Sequence, residues 1–329
     1  MKLETELNAL DLALRAEAID GFVPAKVHDI HAHVLEPSGY VPSTLGAHLQ
    51  GLTISPASYR AAMELILPGR VTEALFFPFP SRQHDRLAVN RWMYAEIADQ
   101  PESFQAGGLA IVAPTDDPRS TEEAMAAGIC RGLKPYHFYV GRADTSQVAL
   151  EEFAPEWMWQ QCDRHGAIMM IHLMRDASVS DPVNRDSLLR LSEKYPNCQA
   201  VLAHVARSFN HRTVRGLSAL AHRPNICVDT SAITESEGMR FALEVLGPGR
   251  VLYGSDYPIS HLRGRCVTTG NQMLWLYAEE NKAPEMTYIG IESLLSLREA
   301  CRQVGLGQAD VRRIFRDNAI ALQARFHAQ

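Results

Sequence analysis

The sequence lacks the features that mark membrane proteins and nucleic-acid-binding proteins. No run approaches the roughly 18 consecutive apolar residues that a helix needs to cross a bilayer. Acidic residues outnumber basic ones, 38 to 32, so the net charge of −6 offers no basic field to attract phosphate backbones. We therefore expect neither a membrane nor a nucleic acid among its partners.

Cysteine is scarce and irregularly spaced. None of the six cysteines belongs to a Cys-x-x-Cys pair, which argues against a disulfide framework. Residues 1–20 mix acids with leucines and lack the basic start and continuous apolar core of a signal peptide. These two absences predict a cytoplasmic protein with reduced thiols.

Low-complexity segments, internal repeats and linkers are also absent, and what recurs instead is a short apolar run followed by a helical stretch. Continuous apolar character is typical of strands that are buried on both faces. The runs are Lys26–His33, Val71–Phe77, Gly107–Val112, Gly128–Lys134, Ala167–Leu173, Gln199–His204, Asn225–Thr230 and Val251–Ser255.

Eight alternations of strand and helix fit a closed parallel barrel better than an open sheet. The sequence therefore predicts an α/β fold, with a single (β/α)8 TIM-barrel catalytic domain over residues 26–329 and extra helices at its C-terminal end. Residues 1–25 are expected to form an N-terminal helical extension.

Residues that start and end helices lie between the runs. Asp181 precedes Pro182, which gives an N-cap followed by a proline at the first helical position. Pro155 opens another helix, which Gly166 can end in the left-handed conformation. The C-terminal part carries one apolar stripe of helical spacing, formed by Val311, Ile314, Phe315, Ala319 and Leu322.

Polar residues stand at the exits of five runs, where a (β/α)8 barrel carries its active site. Burying such groups unpaired is costly, so each of them needs a partner or a ligand. The residues are His31 and His33, Lys134, His172, His204 and Asp256.

His31 and His33 are two residues apart, so on a strand both imidazoles point to the same face and could bind one metal ion. Asp29 has the same parity and is expected to orient one of these ligands from a deeper layer. The alternative is a pair of hydrogen-bonded core histidines.

The other strand-end groups also have structural alternatives. His172 and His204 could be histidines hydrogen-bonded at strand ends, and Asp256 could cap a turn. Taken together, imidazoles and a carboxylate without a thiolate suit zinc, manganese or iron in an open catalytic site. We therefore expect a divalent metal, with zinc favoured over manganese and iron.

The order of these groups resembles the amidohydrolase superfamily: H-x-H on strand 1, histidine on strands 5 and 6, and aspartate after strand 8. Asp29–His33, Gly254–Pro258 and Arg316–Leu322 further resemble its amidohydrolase-related branch, amidohydrolase 2. That branch contains metal-dependent hydrolases such as lactonases, and also hydratases and decarboxylases.

The resemblance implies roles for these residues. The metal ligands would be His31, His33, His172 and Asp256. His204 would activate water or polarise the substrate, and Asp256 would also shuttle a proton. Lys134 stands where some relatives carry a carbamylated lysine that bridges two metals, but it could instead pair with a substrate carboxylate or with a neighbouring acid.

Further candidate substrate-binding residues follow the strands on loops: Tyr136 and His137 after strand 4, Arg175 after strand 5 and Arg207 after strand 6. An arginine fork binds carboxylates bidentately, which predicts a small anionic substrate, although loop arginines are often only solvated.

The leading interpretation is a hydrolase that attacks a C–O or C–N bond of this substrate through a metal-activated water. A metal-dependent lyase, either a non-oxidative decarboxylase or a hydratase, is the alternative on the same residues. A catalytically silent barrel is a third interpretation. The sequence does not fix the oligomeric state, and a homo-oligomer is compatible with it.

Overall fold

A computed structural model describes residues 5–38, 40–41, 49–270, 272–282 and 284–327 of the chain. In this part of the chain, eight parallel strands pair in sequence order from β1 to β8. Their bounds are β1 Val27–Val34, β2 Val71–Pro78, β3 Gln105–Val112, β4 Cys130–Pro135, β5 Ile168–Ile171, β6 Gln199–Leu202, β7 Ile226–Asp229 and β8 Val251–Leu252. Each strand falls within or overlaps one of the apolar runs, which confirms the predicted strand positions.

Helices alternate with these strands in the described residues. The first six are α1 Ala9–Ile19, α2 Pro56–Ile66, α3 Arg86–Ala98, α4 Pro118–Ala126, α5 Leu150–Phe153 and α6 Glu156–His165. The others are α7 Pro182–Lys194, α8 Ala203–Arg207, α9 Ser236–Leu246, α10 Ile289–Val304, α11 Gln308–Arg312 and α12 Asn318–Gln323. None of the described helices combines the length and the apolar character that a membrane span requires.

The seam between β1 and the segment after β8 completes the barrel. The amide of Ile30 donates to the carbonyl of Tyr253 at 3.0 Å, and the amide of His33 donates to the carbonyl of Tyr257 at 2.8 Å. In the opposite direction, the amide of Asp256 donates to the carbonyl of His31 at 2.8 Å. The predicted (β/α)8 TIM barrel is thereby confirmed.

The barrel interior is filled by alternate side chains of the strands and by the last helix. One buried apolar cluster joins strand residues to two residues of α12, and its members are Ile30, Leu75, Phe77, Leu109, Ile168, Met170, Val201, Ala203, Cys227, Leu252, Ala319 and Leu322. Gln323 of α12 also contacts the ring of His28 near the start of β1. The C-terminal stripe therefore covers the end of the barrel where the strands begin.

The predicted helix ends are confirmed. The side chain of Asp181 accepts a hydrogen bond from the amide of Val183, and Pro182 is the first residue of α7. Gly166 ends α6 in the left-handed conformation with φ 59°. A Cβ at this glycine would lie 2.3 Å from the carbonyl oxygen of Arg325. Glycine is therefore required here both by the positive φ and by the close approach of this carbonyl.

A bulge in β1 breaks the alternation of its side chains. Asp29 pairs with Ala74 of β2 and Ala32 pairs with Phe76, so three steps along β1 match two along β2. Because of the extra residue, the Asp29 carboxylate turns outwards and accepts the hydroxyl of Tyr59 on α2 at 2.6 Å. The prediction that Asp29 orients an imidazole is therefore wrong; it contacts the main-chain amide of His31 instead.

The segment after Asp256, which the barrel core does not need, contains an antiparallel hairpin. Its strands are β9 Gly264–Thr269 and β10 Gln272–Tyr277. Trp275 of this hairpin packs edge-on against Phe209, whose ring lies 5.7 Å from that of His204. The hairpin thus leans over the end of the barrel where the strands finish.

Helix α1 carries a buried carboxylate, Asp11, that bonds to residues of the segment before α10. Asp11 accepts hydrogen bonds from Arg263 at 2.8 Å and from Thr287 at 2.7 Å, and it closes a capping box with Asn8. Burial by itself would raise the pKa of Asp11, but the hydrogen bonds from Arg263 and Thr287 hold this pKa below its usual value.

We predict that Asp11→Ala lowers the free energy of unfolding by about 3 kcal/mol, because it leaves the Arg263 guanidinium without its buried partner. Urea unfolding measures the change. The matched control is Glu244→Ala, which removes a half-exposed partner of Arg240 and should cost less than about 0.5 kcal/mol. Equal losses in the two variants would contradict this account of α1.

Because the pKa of Asp11 is lowered on folding, the contribution of Asp11 to the free energy of unfolding should be lost as the pH falls into the acid range.

Candidate metal centre

The carboxyl ends of the barrel strands bring together groups that are far apart in the sequence. His31 and His33 lie on β1, Lys134 on β4, and His172 directly follows β5. His204 and Asp256 stand two and four residues beyond the ends of β6 and β8. The predicted strand-end residues therefore occupy one end of the barrel, as parallel strands require.

Asp256 is the point at which the two imidazoles of β1 converge. Its Oδ1 lies 3.2 Å from Nε2 of His31 and 3.3 Å from Nε2 of His33. The other ring nitrogen of His31, Nδ1, lies 2.8 Å from a carboxylate oxygen of Asp229. If Nδ1 carries the proton, Nε2 presents a lone pair to the Asp256 carboxylate. Such a contact is stable only with a proton or a cation between the two acceptors.

The environment favours neutral rings for most of these histidines. Burial lowers the pKa of His33 to about 4 and holds the pKa of His172 well below its usual value. Burial also lowers the pKa of His204. For His31 the same burial is outweighed by the charge of Asp229, which raises the pKa of this ring. A neutral imidazole offers the lone pair that a metal ligand needs.

A compact group of possible ligands is formed by His31, His204 and Asp256, whose donor atoms all lie within 4.8 Å of one another. Nδ1 of His204 lies 3.0 Å from the carbonyl oxygen of Ser231, which leaves Nε2 free to bind a cation. Imidazoles beside a carboxylate fit a divalent transition metal.

The predicted ligands His33 and His172 lie beside the compact group. His33 contacts Asp256, whereas the ring of His172 is 5.1 Å from that of His204. The Nδ1 atoms of His33 and His172 have no hydrogen-bond partner among the described residues. The full ligand set of His31, His33, His172 and Asp256 stays a prediction.

His204 lies in an unusual backbone turn. Strand β6 ends at Leu202, two residues earlier than expected, and the four residues of α8 from His204 to Arg207 have left-handed rather than right-handed helical angles, with φ 56° at His204 and 54° at Arg207. Such a conformation costs roughly 1–2 kcal/mol for each residue with a side chain. The turn is held by the His204 amide, which donates to Asp229 at 2.9 Å, and by Ser178, whose hydroxyl donates to the carbonyl of Ala206.

Lys134 is a fully buried ammonium group. Its Nζ has no hydrogen-bond partner among the described residues and lies 4.6 Å from the ring centre of Phe77 and 5.2 Å from that of Tyr136. Burial lowers the pKa of Lys134 to about 8, although the charges of Asp229 and Asp256 oppose this change. The two aromatic faces stabilise a cation without neutralising it.

A cavity of about 520 Å³ opens above these groups. Its polar floor is formed by His33, His172, His204 and Asp256, and its walls include Phe79, Tyr136, His137 and Phe138. Tyr136 and His137 were both predicted from the sequence to bind substrate, and the structure brings both to the cavity.

The two predicted arginines have different surroundings. Arg175 lies 2.9 Å from the Asp181 carboxylate and donates to the carbonyl of Gln147, so the structure does not bring it to the cavity. Arg207 is largely buried and donates to the carbonyl of Arg175 at 3.0 Å. Its positive charge lowers the pKa values of His137 and His172, although burial is the larger cause for both rings. Arg207 therefore lies near the cavity wall.

Sequence reasoning missed two polar residues of this centre, Asp229 and Ser231. Asp229 is the last residue of β7 and contacts His31, and Ser231 contacts His204. The available signal was that Asp229 stands near the exit of the run Asn225–Thr230, as the other site residues do in theirs.

A buried cluster of imidazoles and carboxylates at the carboxyl ends of a (β/α)8 barrel is the arrangement of a TIM-barrel enzyme site. The family model described as "Amidohydrolase" (Amidohydro_2) matches residues 28–322. The chain belongs to this amidohydrolase family. A search of curated proteins found no match.

Three solved structures illustrate the similarity. A zinc-bound amidohydrolase from Burkholderia multivorans superimposes with a TM-score of 0.59 at 14% identity, covering 91% of this chain and 99% of its own. A manganese-bound dihydroxybenzoic acid decarboxylase from a Polaromonas species, in complex with the inhibitor 2-nitroresorcinol, gives 0.57 at 14%, covering 92% and 97%. A candidate 2-pyrone-4,6-dicarboxylic acid hydrolase from Pseudomonas putida gives 0.55 at 17%, covering 92% and 99%.

We predict that His31→Asn weakens binding of a divalent metal by more than about 100-fold. Losing only a hydrogen-bonding partner of a ligand typically costs about 10–100-fold, and this variant removes the ligand itself. Plasma mass spectrometry and competition with a chromophoric chelator give metal content and affinity. The control is His261→Asn, a buried imidazole outside the site that contacts the carbonyl of Ala62.

Unchanged metal affinity in His31→Asn, or an equal loss in the control, would rule out a metal at this centre. His172→Asn and His204→Asn, measured beside it, show which of these two imidazoles completes the ligand set.

Proposed function

We propose that the chain is a metal-dependent hydrolase that attacks a C–O or C–N bond of a small anionic molecule through an activated water. The observation that carries this proposal is the convergence of His31 and His33 on one carboxylate oxygen of Asp256, at the floor of the cavity. The same arrangement would fit a metal, because two lone pairs and a carboxylate oxygen face one point.

A divalent cation bound there would supply the Lewis acidity that lowers the pKa of a water molecule towards about 7. Zinc and manganese are both present in similar structures, and the donor set suits either ion. Asp256 is placed to accept the proton of the attacking water, because its carboxylate borders both the histidines and the open cavity. His204, His31 and His33 outweigh burial and hold the pKa of Asp256 well below its usual value, so this group is ionised.

His204 has a second role in this proposal. If its Nδ1, which lies 3.0 Å from the Ser231 carbonyl oxygen, carries the proton, Nε2 presents its lone pair to the centre. From there Nε2 can bind the metal or orient the substrate. His204 is a metal ligand in the first role and is not one in the second. Metal affinity in His204→Asn therefore distinguishes the two roles.

The charge around the cavity supports an anionic substrate. Lys134 has no hydrogen-bond partner among the described residues and interacts electrostatically with Asp229 and Asp256, and the charge of Arg207 lowers the pKa values of His137 and His172. The ammonium group of Lys134 makes cation–π contacts with the rings of Phe77 and Tyr136. We therefore favour Lys134 as a countercharge for a substrate carboxylate over a carbamylated bridge between two metals.

A second candidate function is non-oxidative decarboxylation of an aromatic acid. It is favoured by the aromatic walls of the cavity, where Tyr136 and Phe138 stack with ring centres 5.4 Å apart and Phe79 faces His33. A flat ring would fit between such walls. Similar structures also include proteins named as decarboxylases of dihydroxybenzoate and 5-carboxyvanillate.

Hydrolysis incorporates an oxygen atom from water into the organic product, whereas decarboxylation does not. We expect the metal-loaded protein, tested on a panel of lactones, amides and hydroxylated aromatic acids in water enriched in oxygen-18, to form a product carrying the label. Mass spectrometry detects the label, and a coupled bicarbonate assay detects carbon dioxide. Release of carbon dioxide with no label in the organic product would contradict hydrolysis and support decarboxylation as the reaction.

For the substrate so identified, we predict that Asp256→Asn lowers kcat by about 10²–10⁴-fold at saturating metal, because the amide cannot accept the proton. Asparagine caps a turn about as well as aspartate, so a capping role alone would leave turnover intact. The measurements are kcat, bound metal and melting temperature. Near-normal turnover in the metal-loaded variant would leave Asp256 as a structural turn residue.

A further inference from the structure

Asp229 lies at the end of β7, is fully buried and bonds to two histidine residues of the centre. One carboxylate oxygen, Oδ2, accepts from Nδ1 of His31 at 2.8 Å. The other, Oδ1, accepts the amide of His204 at 2.9 Å and the amide of Ser231 at 3.1 Å. The hydroxyl of Ser231 also donates to Oδ1. A single carboxylate thus accepts four hydrogen bonds, and Asp229 itself does not line the cavity.

These bonds fix which nitrogen of His31 carries a proton. Oδ1 of Asp229 accepts from two main-chain amides and one hydroxyl, and an ionised carboxylate has no hydrogen to donate from Oδ2 to His31. A proton must therefore lie on Nδ1 of His31, and the lone pair of the neutral ring is on Nε2. That atom points to Asp256.

The same loop fixes the proton of His204. Because the Ser231 hydroxyl donates to Asp229, its oxygen can only accept from other groups, and it lies 2.9 Å from Nδ1 of His204 and 3.2 Å from Nδ1 of His31. The Ser231 carbonyl, which can only accept, lies 3.0 Å from the same nitrogen. Nδ1 of His204 is therefore the protonated atom, and Nε2 carries the lone pair.

The position of the His31 ring is restricted from the other side as well. A Cβ on Gly254 would lie 2.8 Å from Cβ of His31 and 3.2 Å from Cβ of Ser231, so the segment after β8 packs directly against both residues. The ring of Phe77 lies 4.9 Å from that of His31. Packing limits where the ring can go, and the carboxylate selects its orientation within that space.

We propose that Asp229 is a positioning residue which, directly for His31 and through Ser231 for His204, directs the Nε2 lone pair of each ring into the centre. The proposal concerns the orientation and the protonated nitrogen of these two imidazoles before any ligand binds. It rests on the proposed function only in assuming that the ligand they bind is a divalent metal. A carboxylate that orients an imidazole in this way also increases its basicity as a ligand.

The first test needs neither a metal nor a variant protein. In metal-free protein at alkaline pH, where the imidazoles are neutral, nitrogen-15 NMR should show Nδ1 of His31 and of His204 protonated and Nε2 bare. His31→Asn and His204→Asn assign the signals. Protonation of Nε2 in either ring would overturn the proposal, whether or not the protein binds a metal.

The second test measures affinity for zinc and for manganese in Asp229→Asn. We expect a loss of about 10–100-fold, because the amide is a weaker acceptor and can turn its NH2 group towards Nδ1. The matched control is Asp29→Asn, a second fully buried aspartate that accepts from Tyr59 and from main-chain amides but contacts no imidazole.

If Asp229 has only a structural role, both variants should lower the melting temperature, and their metal affinities should be the same. That result would refute the proposal that Asp229 is a positioning residue. A larger affinity loss in Asp229→Asn than in Asp29→Asn supports it. Should wild-type protein bind neither metal, the proposed function fails while the NMR measurement still tests the proton positions. Should Asp229→Asn not fold, the wild-type spectrum alone carries the test.

Discussion

The hydrogen-bonded seam between β1 and the segment after β8 is the constraint on which the site depends. The same backbone bonds that complete the barrel place Asp256 against the two imidazoles of β1, since the Asp256 amide donates to the carbonyl of His31 itself. Without this seam the residues would be ends of an open sheet, and the contacts of 3.2 and 3.3 Å from Asp256 to His31 and His33 would not exist. Barrel closure and assembly of the centre are therefore one event.

Burial makes the charges of this centre interdependent. Asp229 and Asp256 are both buried among imidazoles, and isolated carboxylates in such a place would be strongly disfavoured. Each is kept ionised by neighbouring histidines, and the charge of Lys134 is offset by the two carboxylates and by aromatic faces. Removing one partner of such a network leaves another charge uncompensated, so its members cannot vary independently.

The cavity combines a polar floor with aromatic walls, and the two parts are built by different elements. The floor comes from strand ends, which the barrel holds rigidly. The walls come from the segments after β2 and β4, with Phe79, Tyr136 and Phe138. The polar groups of the cavity are therefore carried by the barrel scaffold, whereas its aromatic surface is carried by loops, which vary more readily than a scaffold.

The sequence by itself determined the strands, because continuous apolar runs of this length can only be buried on both faces, and it located the helix ends at Asp181 and Gly166. The H-x-H pair and the strand-end positions of His204 and Asp256 followed from the same pattern, since parallel strands finish at one end of a barrel. These inferences need only local geometry and the direction of the chain.

Tertiary structure alone decided what each side chain faces. The bulge that turns Asp29 towards Tyr59 arises from pairing with β2, and the left-handed turn at His204 is held by Asp229 from the next strand. Arg175 contacts Asp181 because of the way the loop between β5 and α7 folds. The bond from Asp229 to His31 joins residues 198 positions apart, and strand spacing carries no information about such a pair. Side-chain direction depends on register with neighbouring strands, and register exists only once those strands have paired.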